Sequence, residues 1–362
     1  MILGQEIMNK KVSNIIEKGN NNLDIIRLFA ALSVVTYHSF AINPEWGLYD
    51  PTKSLFGHTS TGGVAVKIFF FISGLLVTNS LLTKKSPIEF IVSRALRIFP
   101  GLIFVTSISA LLIGLVISSM SPGEYLSQND TYTYIIDNIM MNTKYFLPGV
   151  SFDNAYGING SLWTIRYEVA AYIVLLVVFL FSLMRNKVIA SFVCLFIMLE
   201  PITPFKGVLF ASSDDSAIFL LAPCFALGSF FAINKDWITS TLILPFALLL
   251  ASICTKSVTL SPLLFCFSLC LLALHISSIK YIVNLRLKDD ISYGVYLWGF
   301  PIQQILHKYF SSGPIVGIAE SIIISCAMGF VSWKLIEKPC IKLSKKFCSY
   351  YSAYCLVKHT QK

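Results

Sequence analysis

Long apolar runs separated by short polar segments recur along the whole chain. Ten of them are long enough to predict membrane-spanning helices: 23-43, 64-82, 98-120, 160-184, 187-204, 215-233, 238-255, 258-279, 290-310 and 314-337. The shortest, such as 187-204, are expected to tilt or to merge with interfacial segments. Segment 130-148 is polar and aromatic, which predicts an interfacial helix inside a long loop. The pattern reads as an all-α, polytopic integral-membrane helical bundle of about ten helices. No linker or internal repeat divides it, so residues 1-362 read as one membrane domain, with an N-terminal segment 1-22 and a tail 338-362.

Composition agrees. The 362 residues are 55% hydrophobic, 14% aromatic and only 13% charged, about half the charge of an ordinary soluble domain. The apolar run after residue 22 carries charges and lacks a small-residue cleavage site, so it reads as a retained span rather than a signal peptide. Nine cysteines form no CxxC pair and no metal-ligand spacing. They read as small core hydrophobes, and no metal is expected.

The net charge of +9 would suggest a nucleic-acid partner in a soluble protein. Here topology accounts for it, and no nucleic acid is expected. With the N-terminus inside, cytoplasmic segments hold twenty Lys and Arg against five outside. That bias predicts both termini in the cytoplasm and an even number of spans.

The first span, LDIIRLFAALSVVTYHSF, holds Asp24, Arg27 and His38. Arg27 and His38 are eleven residues apart, which returns both to one helix face, about 16 Å apart along the axis. Ala30, Ala31 and Val34 lie on or beside that stripe, and their small side chains leave room for a slender ligand. Acyl-coenzyme A suits the geometry, with phosphates near Arg27 and the thioester near His38. Arg27 also suits a simpler role, snorkelling to headgroups beside Asp24. A histidine within a span more often marks a pathway or a site.

The fourth span opens with NGSLWTIRYEVAAY and carries Arg166 and Glu168. They project to nearly opposite faces and are poor partners for each other. Glu168 lies about 12 Å deep from the outer start, a depth suited to contact with His38 or a substrate. Its alternative is a structural pair with Lys67 or Arg166. In SRALRIFP, Arg94 and Arg97 face one side at the expected cytoplasmic mouth of the third span. Two guanidiniums there suit phosphate binding or anchoring to membrane lipid headgroups. His58, His275, His307 and His359 read as structural. No HExxH, GxSxG or Walker pattern occurs.

Taken together, these segments resemble the integral-membrane acyltransferase family 3, whose members include bacterial O-acetyltransferases of O-antigen and other surface glycans. The likeness rests on the order of LDIIRLFAALSVVTYHSF, FFFISGLLVTNSL, SRALRIFP, NGSLWTIRYEVAAY, DISYGVYLWGFPI and LIEKP. The resemblance implies acyl transfer from cytoplasmic acyl-CoA, by default acetyl-CoA, to a hydroxyl of a glycan or lipid-linked glycan. It places the enzyme in the bacterial inner membrane. With it, His38 and Glu168 are expected to be catalytic, Arg27, Arg94, Arg97 and Ser73 donor-binding, and Trp163 substrate-binding; the charge of Arg166 beside Trp163 adds it to the expected substrate contacts. One departure stands out: many members read YLWH in the ninth span, where this chain has Gly299 after Tyr296-Leu297-Trp298. His38 is then the single motif histidine. From another functional class, a transporter or flippase would also use intramembrane Arg, His and Glu, but the absence of internal repeats disfavours it.

Overall fold

The computed structural model describes residues 10–57, 59–154, 156–204, 218, 220–285, 287–310 and 312–360, with side chains to Ala353. His58, Lys206, Arg286, His359 and the start of the predicted 215-233 span lie outside the described residues. The fold is helical almost throughout, and its strands are a two-residue antiparallel pair, Lys10–Lys11 with Thr239–Ser240.

Among the described residues, the α-helices of twelve residues or more are α1 (Leu23–Ile42), α2 (Thr61–Lys84), α3 (Pro87–Ile108), α4 (Ile165–Leu180), α5 (Lys187–Leu199), α6 (Leu221–Ile233), α7 (Ile243–Cys254), α8 (Leu260–Ser277), α9 (Ser292–Tyr309), α10 (Pro314–Ser332) and α11 (Lys338–Thr360). Each of the ten predicted stretches overlaps one of them. Among the described residues six helical runs are long and apolar enough to cross a membrane: Leu23–Ile42, Thr61–Lys84, Pro87–Ile117, Gly160–Leu180, Leu260–Ser277 and Pro314–Ala353. A helix is the form an apolar segment takes in lipid, because every backbone N–H finds its acceptor within the segment.

Two boundaries differ from expectation. Helix α3 starts at Pro87, not near residue 98. The Ser86 side chain accepts from Glu89 N, and proline takes the first helical position, both strong start signals. Arg94 and Arg97 therefore lie about two and three turns inside the helix. At the other end, α10 continues through a π-turn, Trp333–Glu337, into α11, so the segment after residue 337 is helical. The polar loop 130-148 contributes the helix Asn129–Ile139.

The chain divides into two compact units, each assembled from separate segments: residues 1–37, 48–85 and 167–288 form the first, and 38–47, 86–166 and 289–362 the second. In the first, α2 and α6 meet backbone to backbone. A Cβ on Gly74 would lie 2.1 Å from the Phe225 carbonyl oxygen, and one on Gly228 equally near that of Phe71. Without a hydrophobic drive between helices in lipid, such small-residue crossings are how spans approach closely. Thr78 adds a hydroxyl bond to Ser229, 2.9 Å long.

In the second unit, the helical run Pro87–Ile117 carries the loop helices Pro122–Ser127 and Asn129–Ile139 near its far end: Tyr125 donates to the Ala110 carbonyl, and Ala110, Tyr134, Leu147 and Ile158 form a buried cluster. Near its start, Ser352 of α11 bonds the Glu89 carboxylate.

Candidate functional site

The predicted site residues fall into both units. Arg27, Ser73 and Glu168 belong to the first; His38, Arg94, Arg97, Trp163 and Arg166 belong to the second.

Arg27 and His38 stand on one uninterrupted helix, α1, as their spacing requires. The stripe between them is not an open channel: Ala31 is fully buried, and Ala30 and Val34 are nearly so. The groove on this helix lies elsewhere. It holds about 320 Å³ and is apolar, lined by Ile26, Phe29, Ala30 and Ser33 of α1 facing Ala65 and Phe265. At 100° per residue these positions centre about a third of a turn from the Arg27–His38 face.

In the first unit, Glu168 and Ser73 are joined by a residue the sequence reading passed over. Tyr172 donates its hydroxyl to Glu168 Oε1 at 2.5 Å, and its oxygen lies 2.7 Å from Ser73 Oγ. Tyrosine has one hydroxyl proton, and the carboxylate takes it. Ser73 must therefore be the donor in the second bond. The chain runs Ser73 to Tyr172 to Glu168, and Ser73 is left with lone pairs to offer a ligand donor. The spacing of the first bond suits a charge-assisted hydrogen bond. The signal was present in the sequence: Tyr172 closes the motif NGSLWTIRYEVAAY, one turn after Glu168. Ser73 is held in place by its neighbour Gly74 at the α2–α6 crossing. The structural pair with Lys67 does not form among the described residues.

In the second unit, α9 presents Phe300, Gln303 and His307 along one face. The Phe300 ring meets His38 edge-on, centroids 4.9 Å apart. Gln303 donates to Ser39 Oγ at 2.6 Å, and His307 Nδ1 bonds Asn43 Oδ1 at 2.8 Å. Three consecutive contacts thus hold the segment that carries His38.

The same helix braces the turn that carries Trp163. That turn is a 3-10 segment, Gly160–Thr164, before α4. Asn159 accepts from Ser161 N and donates to the Leu297 carbonyl. Tyr296 donates to the Ser161 carbonyl at 2.8 Å, so Thr164, 2.6 Å away, must donate to it. Trp163 is half-buried and Arg166 exposed.

Arg97 is bound to Asp290 at 2.6 Å and faces Glu337 at 3.7 Å, between the rings of Tyr293 and Trp333. Beside it, Asp289 accepts from Lys334, Lys338 and the Trp333 indole. Those bonds hold its carboxyl well below the usual aspartate range. Three motifs, SRALRIFP, DISYG and LIEKP, thus converge on one balanced ionic cluster. The carboxylates on Arg97, Asp290 and Glu337, lie inside the quoted motifs, yet nothing in their spacing shows that they meet it; Asp289 lies just before its motif.

Comparison with known proteins agrees with this arrangement of motifs. Residues 20–337 match the family model described as an acyltransferase domain, of the acyltransferase 3 type. The chain is 30% identical to the O-acetyl transferase of Shigella phage Sf6, over 88% of this chain and 95% of that protein. It is 27% identical to nodulation protein 10 of Rhizobium leguminosarum bv. viciae, over 89% and 94%. It is 24% identical to the O-acetyltransferase OatA of Staphylococcus aureus strain NCTC 8325 / PS 47, over 88% of this chain and 56% of OatA. No solved structure gives a significant match. With its six motif segments in order and a family match over most of its length, this multi-pass membrane chain belongs to acyltransferase family 3.

Proposed function

We propose that this protein is an acetyl-CoA-dependent O-acetyltransferase of the bacterial inner membrane, moving acetyl from the cytoplasmic side to a hydroxyl of a cell-surface glycan such as O-antigen. The observation that carries this reading is the near full-length match to the Shigella phage Sf6 O-acetyl transferase. The charge bias supports the orientation: about ten spans, with both termini in the cytoplasm.

In this reading His38 is the general base. It takes the proton of the acceptor hydroxyl as the oxygen attacks the thioester carbonyl. The C–S bond breaks, the ester C–O bond forms, and the proton leaves with the coenzyme A thiol. Glu168 is the second catalytic group. Arg27 and Arg94 serve the donor phosphates. Ser73, as a hydrogen-bond acceptor, serves an amide N–H of the pantetheine arm. Trp163 and Arg166 serve the acceptor. Arg97, held between two carboxylates, keeps the donor end of α3 in position.

The test is His38→Ala. Glycan acetylation, read by mass spectrometry of surface polysaccharide, should fall by about 10²–10⁴-fold while the protein inserts and accumulates normally. Retained acetylation would remove His38 from the mechanism. Purified protein with labelled acetyl-CoA should transfer the acyl group or slowly hydrolyse the thioester. Saturable substrate movement without acetyl-CoA would instead identify a transporter.

A further inference from the structure

The first unit holds a cation that the transfer reaction does not use. Lys67, on α2, is 1% exposed. Among the described residues its ammonium has neither an ion-pair partner nor a hydrogen-bond acceptor. It lies six residues from the start of the helix, about 9 Å along the axis, in a span where an unaccompanied charge is costly. Titratable side chains on a neighbouring helix that feel its charge are the thiols of Cys266 and Cys270. The carboxylate at this end, Asp50, accepts from Lys53 N and Thr61 N and makes no ion pair with Lys67.

A second orphan points to the same spot. Thr59 is 8% exposed, and its buried hydroxyl has no hydrogen-bond partner among the described residues. The two groups converge over Gly63, in the first turn of α2. A methyl group on Gly63 would stand 3.1 Å from Ser60 Oγ, 3.5 Å from Thr59 Oγ1 and 3.6 Å from Lys67 Nζ. An ammonium and two hydroxyls, one of them the Ser60 cap that accepts from Gly63 N at 3.0 Å, thus ring the point that a glycine leaves without a side chain. The N-terminal turn of a 24-residue helix adds its own positive potential there.

We propose that Lys67, Thr59 and Ser60 form a binding site for an oxyanion, a phosphate or carboxylate group, seated over Gly63 at the start of α2. The ammonium supplies the counter-charge, and the Thr59 hydroxyl donates the hydrogen bond it otherwise lacks. The anion can be a free or substrate-borne group, or the headgroup of an anionic lipid; the chemistry recognised is the same.

The experiment follows thermal unfolding of the purified full-length protein. Inorganic phosphate is titrated in nanodiscs of phosphatidylcholine, and phosphatidylglycerol nanodiscs are compared without added phosphate. Wild type should gain roughly 5 °C at saturation. A gain with phosphate identifies a free or substrate-borne oxyanion, and a gain only with phosphatidylglycerol identifies the lipid. Lys67→Met should abolish the gain and raise the midpoint without anion, because the unaccompanied charge is gone. Gly63→Ala leaves every polar group in place but fills the seat. It should abolish the gain with the anion-free midpoint kept or raised. No gain for wild type in either arm, or a wild-type gain in both variants, overturns the proposal. The readout is independent of acetyl transfer, so it stands or falls apart from the catalytic reading.

Discussion

Glu168 in the first unit and Arg97 in the second are both charged motif residues on helices, and the fold treats them in opposite ways. The described hydrogen-bond partner of Glu168 is a tyrosine hydroxyl, itself bonded to a serine. Its negative charge is oriented without a counter-cation in that chain. Arg97 sits between two carboxylates and two aromatic rings, so its charge is matched by protein groups. Hydroxyls leave a charge available for chemistry, whereas counter-ions neutralise it and join elements together. The two arrangements therefore predict different losses: activity at Glu168, stability at Arg97.

The largest effect is expected at the ionic cluster. Arg97→Ala would remove the guanidinium that faces Asp290 and the fully buried Glu337, at about 3–5 kcal/mol. Protein yield and thermal midpoint should drop sharply. Arg94→Ala should raise the KM for acetyl-CoA. An unchanged midpoint for Arg97→Ala would break the reading of Arg97 as a clamp.

Next comes the hydroxyl chain. Tyr172→Phe removes a hydrogen bond to a charged group, worth about 1.5–3 kcal/mol, so kcat should fall about 10–100-fold with the fold intact. Ser73→Ala introduced into Tyr172→Phe should cost little more, because both act through one chain. Additive losses, measured as kcat in a double-mutant cycle, would show independent roles.

Gly74→Ala tests the scaffold under that chain. Its Cβ would meet the Phe225 carbonyl at 2.1 Å, and forced separation of α2 and α6 should cost about 1–3 kcal/mol in unfolding measurements. An unchanged midpoint would mean that the crossing yields easily.

The smallest effect concerns Asp289. Hydrogen bonds from Lys334, then Lys338 and Trp333, depress its carboxyl below the ordinary value of 3.8. The folded form is therefore favoured by ionisation. This contribution is present in full above about pH 4 and disappears as pH falls through the lower folded value. Asp289→Asn should lower the midpoint by about 2 °C or less at pH 7, and the gap should close below pH 4.

The helices were legible because their cause is local. A membrane-length apolar run satisfies its backbone within itself, so the runs beginning near residues 23 and 64 read correctly to within a few residues. The start of α3 was missed because hydropathy marks where lipid solvates a helix, not where hydrogen bonding begins. Ser86, Pro87 and Glu89 carried the start signal instead. His307 read as structural, and its bond to Asn43 agrees. Tyr172 and Phe300 stood in quoted motifs but escaped selection, since an aromatic residue in a span is ordinarily packing.

By itself, then, the amino-acid order determined the helical membrane character, which rests on periodicity, length and composition, and the family, which rests on the likeness of its ordered motifs. Only the tertiary structure decided which charges are matched. Ser73 meets Tyr172 across 99 residues, and Arg97 meets Asp290 across 193. Contacts at such separation depend on how helices turn and cross, and no local pattern encodes that. The same reason explains the Arg27–His38 stripe: its spacing followed from helix geometry, but its closure around Ala31 and Val34 came from packing.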